Sequence, residues 1–204
     1  MKKTGIPRAT LGRLPDYLQY IRNNVRSENI SAAAIARGLE LGEVQVRKDL
    51  GCICDSGRPK TGYDTAVLRS AIEETLGMQN LTPAVIVGTG KLGRALLDFD
   101  GFSDFGLEIA AGFDADPQKV GLTDGGKQIF PMEELERYCR ENGVRIGIIT
   151  VPVAAAQSVC DRMTACGIDL IWNFSPVSLT VGENVTLKNE NLALSLAHLK
   201  SMAQ

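Results

Sequence analysis

Between Leu14 and Val25 the apolar residues Leu14, Tyr17, Leu18, Ile21 and Val25 recur every three or four positions, with Arg13, Arg22 and Arg26 among the polar ones, which predicts an amphipathic helix. Ser31 is placed to cap a second, short helix whose Ile35 and Leu39 face inward. Residues 38–42 begin and end with glycine and supply a turn, and Glu43 to Leu50 forms a third helix. Helix, helix, turn, helix is the order of a helix-turn-helix. After about residue 79 the pattern changes to short apolar runs: Val85 to Val87, Leu107 to Phe113, Lys127 to Phe130, Arg145 to Val151 and Asp169 to Phe174. Helical stretches at Pro131 to Glu141 and Ala154 to Cys166 fall between the later runs, and such alternation predicts an α/β fold with a doubly wound parallel sheet. The tail carries Leu192, Leu196 and Leu199 on one helical stripe, widened by Leu194 and Met202. A helix that apolar requires a groove, on its own sheet or on another subunit.

On the third helix Val46 and Leu50 share the inner face, so Gln45 and Lys48 point outward and Arg47 lies on the flank. Gln pairs bidentately with adenine, and Arg or Lys with guanine or phosphate, so this face has the chemistry of a major-groove reader. The same side chains also suit a plainly solvated helix. The following segment, Asp55 to Tyr63, is rich in turn formers and cationic, and its Arg58 and Lys60 suit contacts to nucleic-acid backbone or minor groove.

The first apolar run of the second half continues into Gly88-Thr89-Gly90-Lys91-Leu92-Gly93, a GxGxxG directly after a strand. Glycines at that spacing permit a tight turn, close backbone approach to a pyrophosphate and close helix packing. The run Leu107 to Phe113 ends in Asp114, 21 residues past Gly93, where a carboxylate accepts the ribose hydroxyls of an adenosine. An acidic group there favours NAD over NADP, because a 2′-phosphate would meet like charge. Thr150-Val151-Pro152 and Asn173-Phe174-Ser175-Pro176 fall at the carboxyl ends of later strands, beside the nicotinamide if NAD(H) is bound. Strand termination by proline and core packing are the competing explanations for those two loops.

Net charge over the 204 residues is −2, but residues 1–63 carry +5 and residues 64–204 carry −7. An anionic polymer would bind the basic part. No run reaches the roughly 18 apolar residues of a membrane span, and the charged N-terminal stretch lacks a signal core, so a cytoplasmic protein is expected. Five cysteines is an odd count; Cys52-Ile53-Cys54 with Cys139, Cys160 and Cys166 scattered lacks metal-ligand spacing, so no metal is expected. The single histidine, His198, lies in the apolar tail, and about 140 residues after the basic part leave no room for a separate substrate domain. Those features weigh against catalysis. Two alternatives stay open, a small NAD-dependent dehydrogenase and a dinucleotide-sensing regulator that does not touch DNA.

Taken in order, Ile6-Pro7-Arg8-Ala9-Thr10, Arg13-Leu14-Pro15, Gln45-Val46-Arg47-Lys48-Asp49-Leu50, Gly62-Tyr63, the glycine loop, Phe113-Asp114-Ala115-Asp116-Pro117 and Trp172-Asn173-Phe174-Ser175-Pro176 resemble the Rex family of NADH-responsive bacterial repressors. The resemblance covers nearly the whole chain. It implies a winged-helix DNA-binding domain over 1–78 with Arg13 among its DNA contacts, a Rossmann NAD(H) domain over 79–188, and a helix over 189–204 exchanged in a homodimer. It also implies release from a palindromic operator when NADH rises. Three segments depart from the family pattern: residues 51–60 after the third helix, Phe99 where a tyrosine is common, and Asn191 where an aspartate is common.

Overall fold

The computed structural model describes residues 5–59 and 61–202, and the chain divides between Asn80 and Leu81 into two units. In the first, α1 (Arg8–Asn24) is followed by β1 (Asn29–Ile30), α2 (Ala32–Gly38), α3 (Glu43–Gly51), β2 (Tyr63–Asp64) and α4 (Thr65–Thr75). Helix α1 begins six residues before the apolar periodicity does and runs through Pro15. The fixed φ of proline is compatible with a helix, and the cost is one missing N–H donor. Buried Thr10, Leu14, Tyr17, Leu18 and Ile21 keep one face of α1 on the core through that position. Ser31 caps α2 as expected, its hydroxyl accepting from Ala34 N.

Strands β1 and β2 pair antiparallel, Asn29 with Asp64 and Ile30 with Tyr63. Between α3 and β2 the chain makes a short wing closed by two backbone hydrogen bonds between Arg58 and Gly62, at 2.8 and 2.9 Å. Ile53 and Cys54, just before it, belong to the core rather than to the wing. Helix α4 goes beyond the elements the periodicity predicts. Asp64 caps it through Val67 N, and Leu68 and Ile72, four apart, are fully buried with Leu14, Leu18, Ile35 and Leu50.

The second unit contains β3 (Thr82–Val87), α5 (Lys91–Leu97), β4 (Leu107–Asp114), β5 (Gly121–Leu122), β6 (Gln128–Pro131), α6 (Leu135–Glu141), β7 (Ile146–Ile149), α7 (Val153–Ala165), β8 (Leu170–Asn173), β9 (Thr186–Asn189) and α8 (Leu192–Ser201). The sheet order is β5-β6-β4-β3-β7-β8-β9, and all pairings are parallel except β5 with β6. Leaving out β5, that is the Rossmann order, with the direction of progression reversing beside β3. Along β3 alternate residues serve opposite faces. Val85 and Val87 pack with Leu135, Val159 and Met163 of α6 and α7, while Ala84 and Ile86 pack with Leu97, Ile109 and Ile148. Both faces are covered, so the strands read as continuous apolar runs.

Strands β5 and β9 have no counterpart in the apolar pattern. β9 (Thr-Leu-Lys-Asn) is an edge strand with mostly exposed residues, held by its register on β8 from Leu170↔Thr186 to Asn173↔Asn189. Helix α8 is capped by Asn191, whose side chain accepts from Ala193 N and Leu194 N at 3.1 Å each. None of its residues is buried, and Leu192, Leu194, Leu196 and Leu199 are each about 60% or more exposed. Among the described residues no helix is long and apolar enough to cross a membrane.

Candidate functional sites

The glycine loop joins β3 to α5 at the carboxyl edge of the sheet. Gly88 has φ +94°, and a Cβ there would lie 2.8 Å from the Thr150 carbonyl and 2.7 Å from Val151, so only glycine fits both the conformation and the space. At Gly93 a Cβ would fall 1.9 Å from the Gly88 carbonyl oxygen, which is how the first turn of α5 comes to rest on the loop. Around Gly90, by contrast, nothing lies within 4 Å of the Cβ position, leaving an open face over the start of α5. Lys91 and Leu92 are exposed there, and no side chain caps the helix. A cradle without side chains, bounded by free backbone N–H groups, is shaped for a phosphate.

Asp114 ends β4 beside this loop and is 8% exposed. Its Oδ2 accepts from Thr89 N at 2.7 Å, Thr89 Oγ1 at 2.9 Å and Lys119 Nζ at 3.1 Å. Its Oδ1 accepts from Asp116 N at 3.0 Å and from Lys119 Nζ at 3.2 Å. Burial opposes ionisation, but the backbone N–H groups of Asp116 and Thr89, with Lys119 and the Thr89 hydroxyl, outweigh it and hold the Asp114 carboxyl below the usual carboxylate range.

A cavity of about 750 Å³ opens from this corner. Gly88, Gly90 and Asp114 form one wall and Thr150, Val151 and Pro152 another. Thr150 Oγ1 donates to the Gly88 carbonyl and so ties the two walls together. The remaining lining comes from residues the sequence pattern does not single out, among them Lys119, Met132, Glu133, Ser158 and Arg162. The one available signal was the spacing of Ala154, Ser158 and Arg162, four apart on one face of α7. Arg162 is held bidentately by Glu136 at 2.7 and 3.0 Å and donates to Met132 O at 2.7 Å.

Asn173, Phe174, Ser175 and Pro176 do not line that cavity. Asn173 Nδ2 donates to Ser175 O, Val177 O and Asn189 Oδ1, pinning the end of β8 to the loop after it and to β9. Ser175 Oγ donates to Val151 O, and Phe174 packs on Trp172 with ring centroids 4.4 Å apart. Of the four, Ser175 is tied directly to Val151, whereas Phe174 packs with Trp172 against the cluster that includes Ile86 and Leu97. Among the described residues no group of three or more His, Cys, Asp or Glu is placed to hold a metal ion.

In the first unit, α3 presents Val44, Gln45, Arg47 and Lys48 to solvent. Arg47 is ion-paired one turn back with Glu43. A groove of about 430 Å³ runs between α3 and the wing, lined by Arg47, Arg58, Pro59, Tyr63 and Ser31 among others. Lys60 lies outside the described residues. Behind α3, Asp49 is 1% exposed and accepts from four side chains. Arg13 reaches it bidentately at 2.7 and 2.8 Å, Thr10 at 2.8 Å, Tyr17 at 2.7 Å and Gln45 at 3.0 Å. Desolvation alone would raise its pKa, but Arg13, Tyr17, Thr10 and Gln45 together hold it at about 2. Burial, reinforced by Asp49, pushes the Tyr17 hydroxyl up to about 12, so it stays a donor. Two residues expected at a DNA surface, Arg13 and Gln45, are therefore also engaged with α3's own anchor.

A helix-turn-helix with a short wing, followed in one chain by a Rossmann sheet with a glycine cradle, defines the class of DNA-binding regulators that carry a nucleotide-binding domain. Comparison with known proteins narrows the class. Residues 5–51 match a family model described as "Putative DNA-binding protein N-terminus", and residues 79–177 match one described as "CoA binding domain". The chain is 38% identical over 196 residues to the redox-sensing transcriptional repressor Rex of Bacteroides fragilis, covering 95% of this chain and 89% of that one. It is equally 38% identical to the Rex repressor of Treponema denticola over 205 residues, covering 99% and 98%. Among solved structures, RSP, a Rex-family repressor, superposes in its complex with β-NAD+ and operator DNA with a TM-score of 0.88 at 29% identity, covering 98% of this chain and 93% of that one. The RSP complex with β-NADH superposes with a TM-score of 0.84. The chain belongs to the Rex family of redox-sensing transcriptional repressors.

Proposed function

We propose that this protein is a cytoplasmic, homodimeric transcriptional repressor that occupies a palindromic operator and leaves it when NADH binds its Rossmann domain, without catalysing turnover. The observation that carries the reading is the joining, in one chain, of a cationic outward helix face and a side-chain-free phosphate cradle ending at a buried aspartate. The residues divide the work. Gly88, Thr89, Gly90, Lys91, Leu92 and Gly93 surround the pyrophosphate, and Asp114 takes the adenosine ribose. Thr150, Val151 and Pro152 border the path toward the nicotinamide, with Asn173, Phe174, Ser175 and Pro176 behind them. Gln45, Arg47 and Lys48 read the major groove while Arg58 and Lys60 of the wing touch backbone. Arg13 uses Nε and Nη2 on Asp49 and keeps Nη1 for a phosphate.

The reduced cofactor lacks the positive charge of the oxidised nicotinamide. Apolar side chains such as Val151 impose a desolvation cost on that charge and so favour NADH. Shifting operator occupancy tenfold requires about 1.4 kcal/mol of differential affinity between the two dimer states, a common scale of coupling. The uncovered apolar side of α8 fits a helix given to a second copy, which would set two α3 helices on two half-sites. The domains then run 1–78, 79–188 and 189–204.

The direct test is retention of purified protein on AT-rich palindromes during titration with NADH, NAD+ and NADPH. Release by NADH well below the NAD+ concentration needed is the expected result. Turnover of an alcohol or hydroxy acid with NAD+ would instead establish a dehydrogenase, and dinucleotide binding without DNA retention would establish a regulator of another kind.

A further inference from the structure

We propose that Cys139 and Cys166 form a redox pair, which hydrogen peroxide converts to an intramolecular disulfide fastening α6 to the end of α7, with Cys166 as the attacking thiol. The inference rests on the packing of two helices and is independent of cofactor and operator binding.

All the cysteines except Cys52 are buried, but their surroundings differ. Cys139 lies one turn after Leu135 on the inner face of α6 and is 1% exposed, while Cys166 caps the C-terminus of α7 and is 8% exposed. Both belong to the same core cluster. The Cys139 thiol donates to Cys166 Sγ, and Cys166 in turn donates to Met163 O at 3.1 Å. A disulfide requires that two sulfurs approach without a large backbone movement. Two thiols already in hydrogen-bonding contact meet that condition.

The pair is also chemically unequal. The hydrogen bond from Cys139, aided by the backbone N–H groups of Cys166 and Ile168, pulls the Cys166 thiol down against burial and Glu136. The same hydrogen bond, with burial, pushes the Cys139 thiol up. Glu136, the acidic neighbour of both, is itself paired bidentately with Arg162. A thiolate is the nucleophile toward peroxide, so Cys166 is the sulfur that attacks. It is also the outer of the two. Exposed Ala165 and Gly167 flank it, and Gly167 turns the chain with φ +99°, which leaves a short path for a molecule as small as hydrogen peroxide. Cys160, earlier on α7, is fully buried, and burial pushes its thiol up.

The Cys166 sulfur attacks one peroxide oxygen, the O–O bond breaks, and the departing hydroxide takes up the proton that the thiol released. Cys166 is thereby oxidised to a sulfenic acid and the peroxide is reduced to water. Cys139 then gives up its proton and attacks the sulfenic sulfur. The S–S bond forms as the S–O bond breaks, and the leaving hydroxide takes that proton as a second water. Two thiols and one hydrogen peroxide thus become one disulfide and two waters. A dithiol reverses the bond by exchange, as suits a transient disulfide in a reducing compartment.

The experiment exposes the folded full-length protein to hydrogen peroxide, removes the oxidant with catalase, alkylates the remaining thiols in denaturant and maps linked peptides by mass spectrometry. In the wild type the peptides carrying Cys139 and Cys166 should appear as one cross-linked species, with both thiols lost from alkylation and both regained after dithiothreitol. In Cys139→Ser, dimedone should label Cys166 as a trapped sulfenic acid, whereas in Cys166→Ser the Cys139 thiol should stay reduced. The wild-type map depends on neither variant's folding. A wild type in which Cys139 and Cys166 both remain alkylatable, or in which linkage is confined to Cys52 and Cys54 or involves Cys160 instead, overturns the proposal. Dimedone labelling of Cys139 in Cys166→Ser with none on Cys166 in Cys139→Ser overturns the assignment of the attacking thiol.

Discussion

Asp49 in the first unit and Asp114 in the second are both buried carboxylates crowded by donors, and both are held ionised below the usual range. Their partners differ in kind. Asp49 is surrounded by side chains from α1, thirty-two to thirty-nine residues away, and by Gln45 one turn back on α3, so it acts as a rivet between two helices. Asp114 is served by two backbone N–H groups and a hydroxyl, all fixed by loop geometry, and by one flexible lysine at a cavity wall. Asp49 joins two helices, whereas Asp114 ties the glycine loop to the end of β4 at a cavity wall.

The largest effect that would break this contrast is at Asp49. Asp49→Ala leaves Tyr17, Thr10 and Arg13 without their acceptor, and about 3 kcal/mol of first-unit stability should be lost in denaturant unfolding. Operator binding should fail with it, while NADH affinity should be retained. If the variant unfolds no more easily than wild type, Asp49 is no rivet. Asp114→Ala should do the opposite, weakening NADH by about 30- to 100-fold in calorimetry as charge-assisted bonds to the ribose disappear, with DNA binding kept. Loss of DNA binding there would show that Asp114 supports the fold rather than the ligand.

Smaller effects sharpen the division. Arg47→Ala or Lys48→Ala should lower operator affinity and flatten its dependence on salt by about one unit of slope per lost phosphate contact, with NADH affinity unchanged. A slope equal to wild type would remove that residue from the interface. The smallest effect is on acid stability. The pKa of Asp49 is lowered from 3.8 to about 2 on folding, so its contribution is complete above about pH 4 and disappears as pH falls toward 2. The difference in unfolding midpoint between wild type and Asp49→Asn should therefore narrow over that window, and a difference independent of pH would count against an ionised Asp49 as its source.

The parts legible without a structure were those with short-range physical causes. The periodicity at Leu14 to Ile21, the cap at Ser31 and the glycine spacing each reflect constraints within one or two turns, and they placed α1, α2 and the cradle. Edge strand β9 escaped because its residues have little to bury, and it exists through pairing with β8. Gln45 and Arg13 read as free surface cations and amides because nothing in their neighbourhoods announces Asp49 as a shared acceptor 4 and 36 residues away. Lys119 and Arg162 were silent for a related reason: a cavity is lined by whatever several chain segments happen to converge.

The order of apolar and polar residues determined two units, most of their helices and buried strands, the glycine loop and the acid at the end of β4, since each depends on local sterics and on which faces must leave water. Only the tertiary structure decided which donors satisfy each buried carboxylate, that Ser175 reaches the Val151 carbonyl while residues 173–176 do not line the cavity, and that α8 buries no leucine within its own chain. Those outcomes depend on distances between segments far apart in the chain, and no periodicity encodes them.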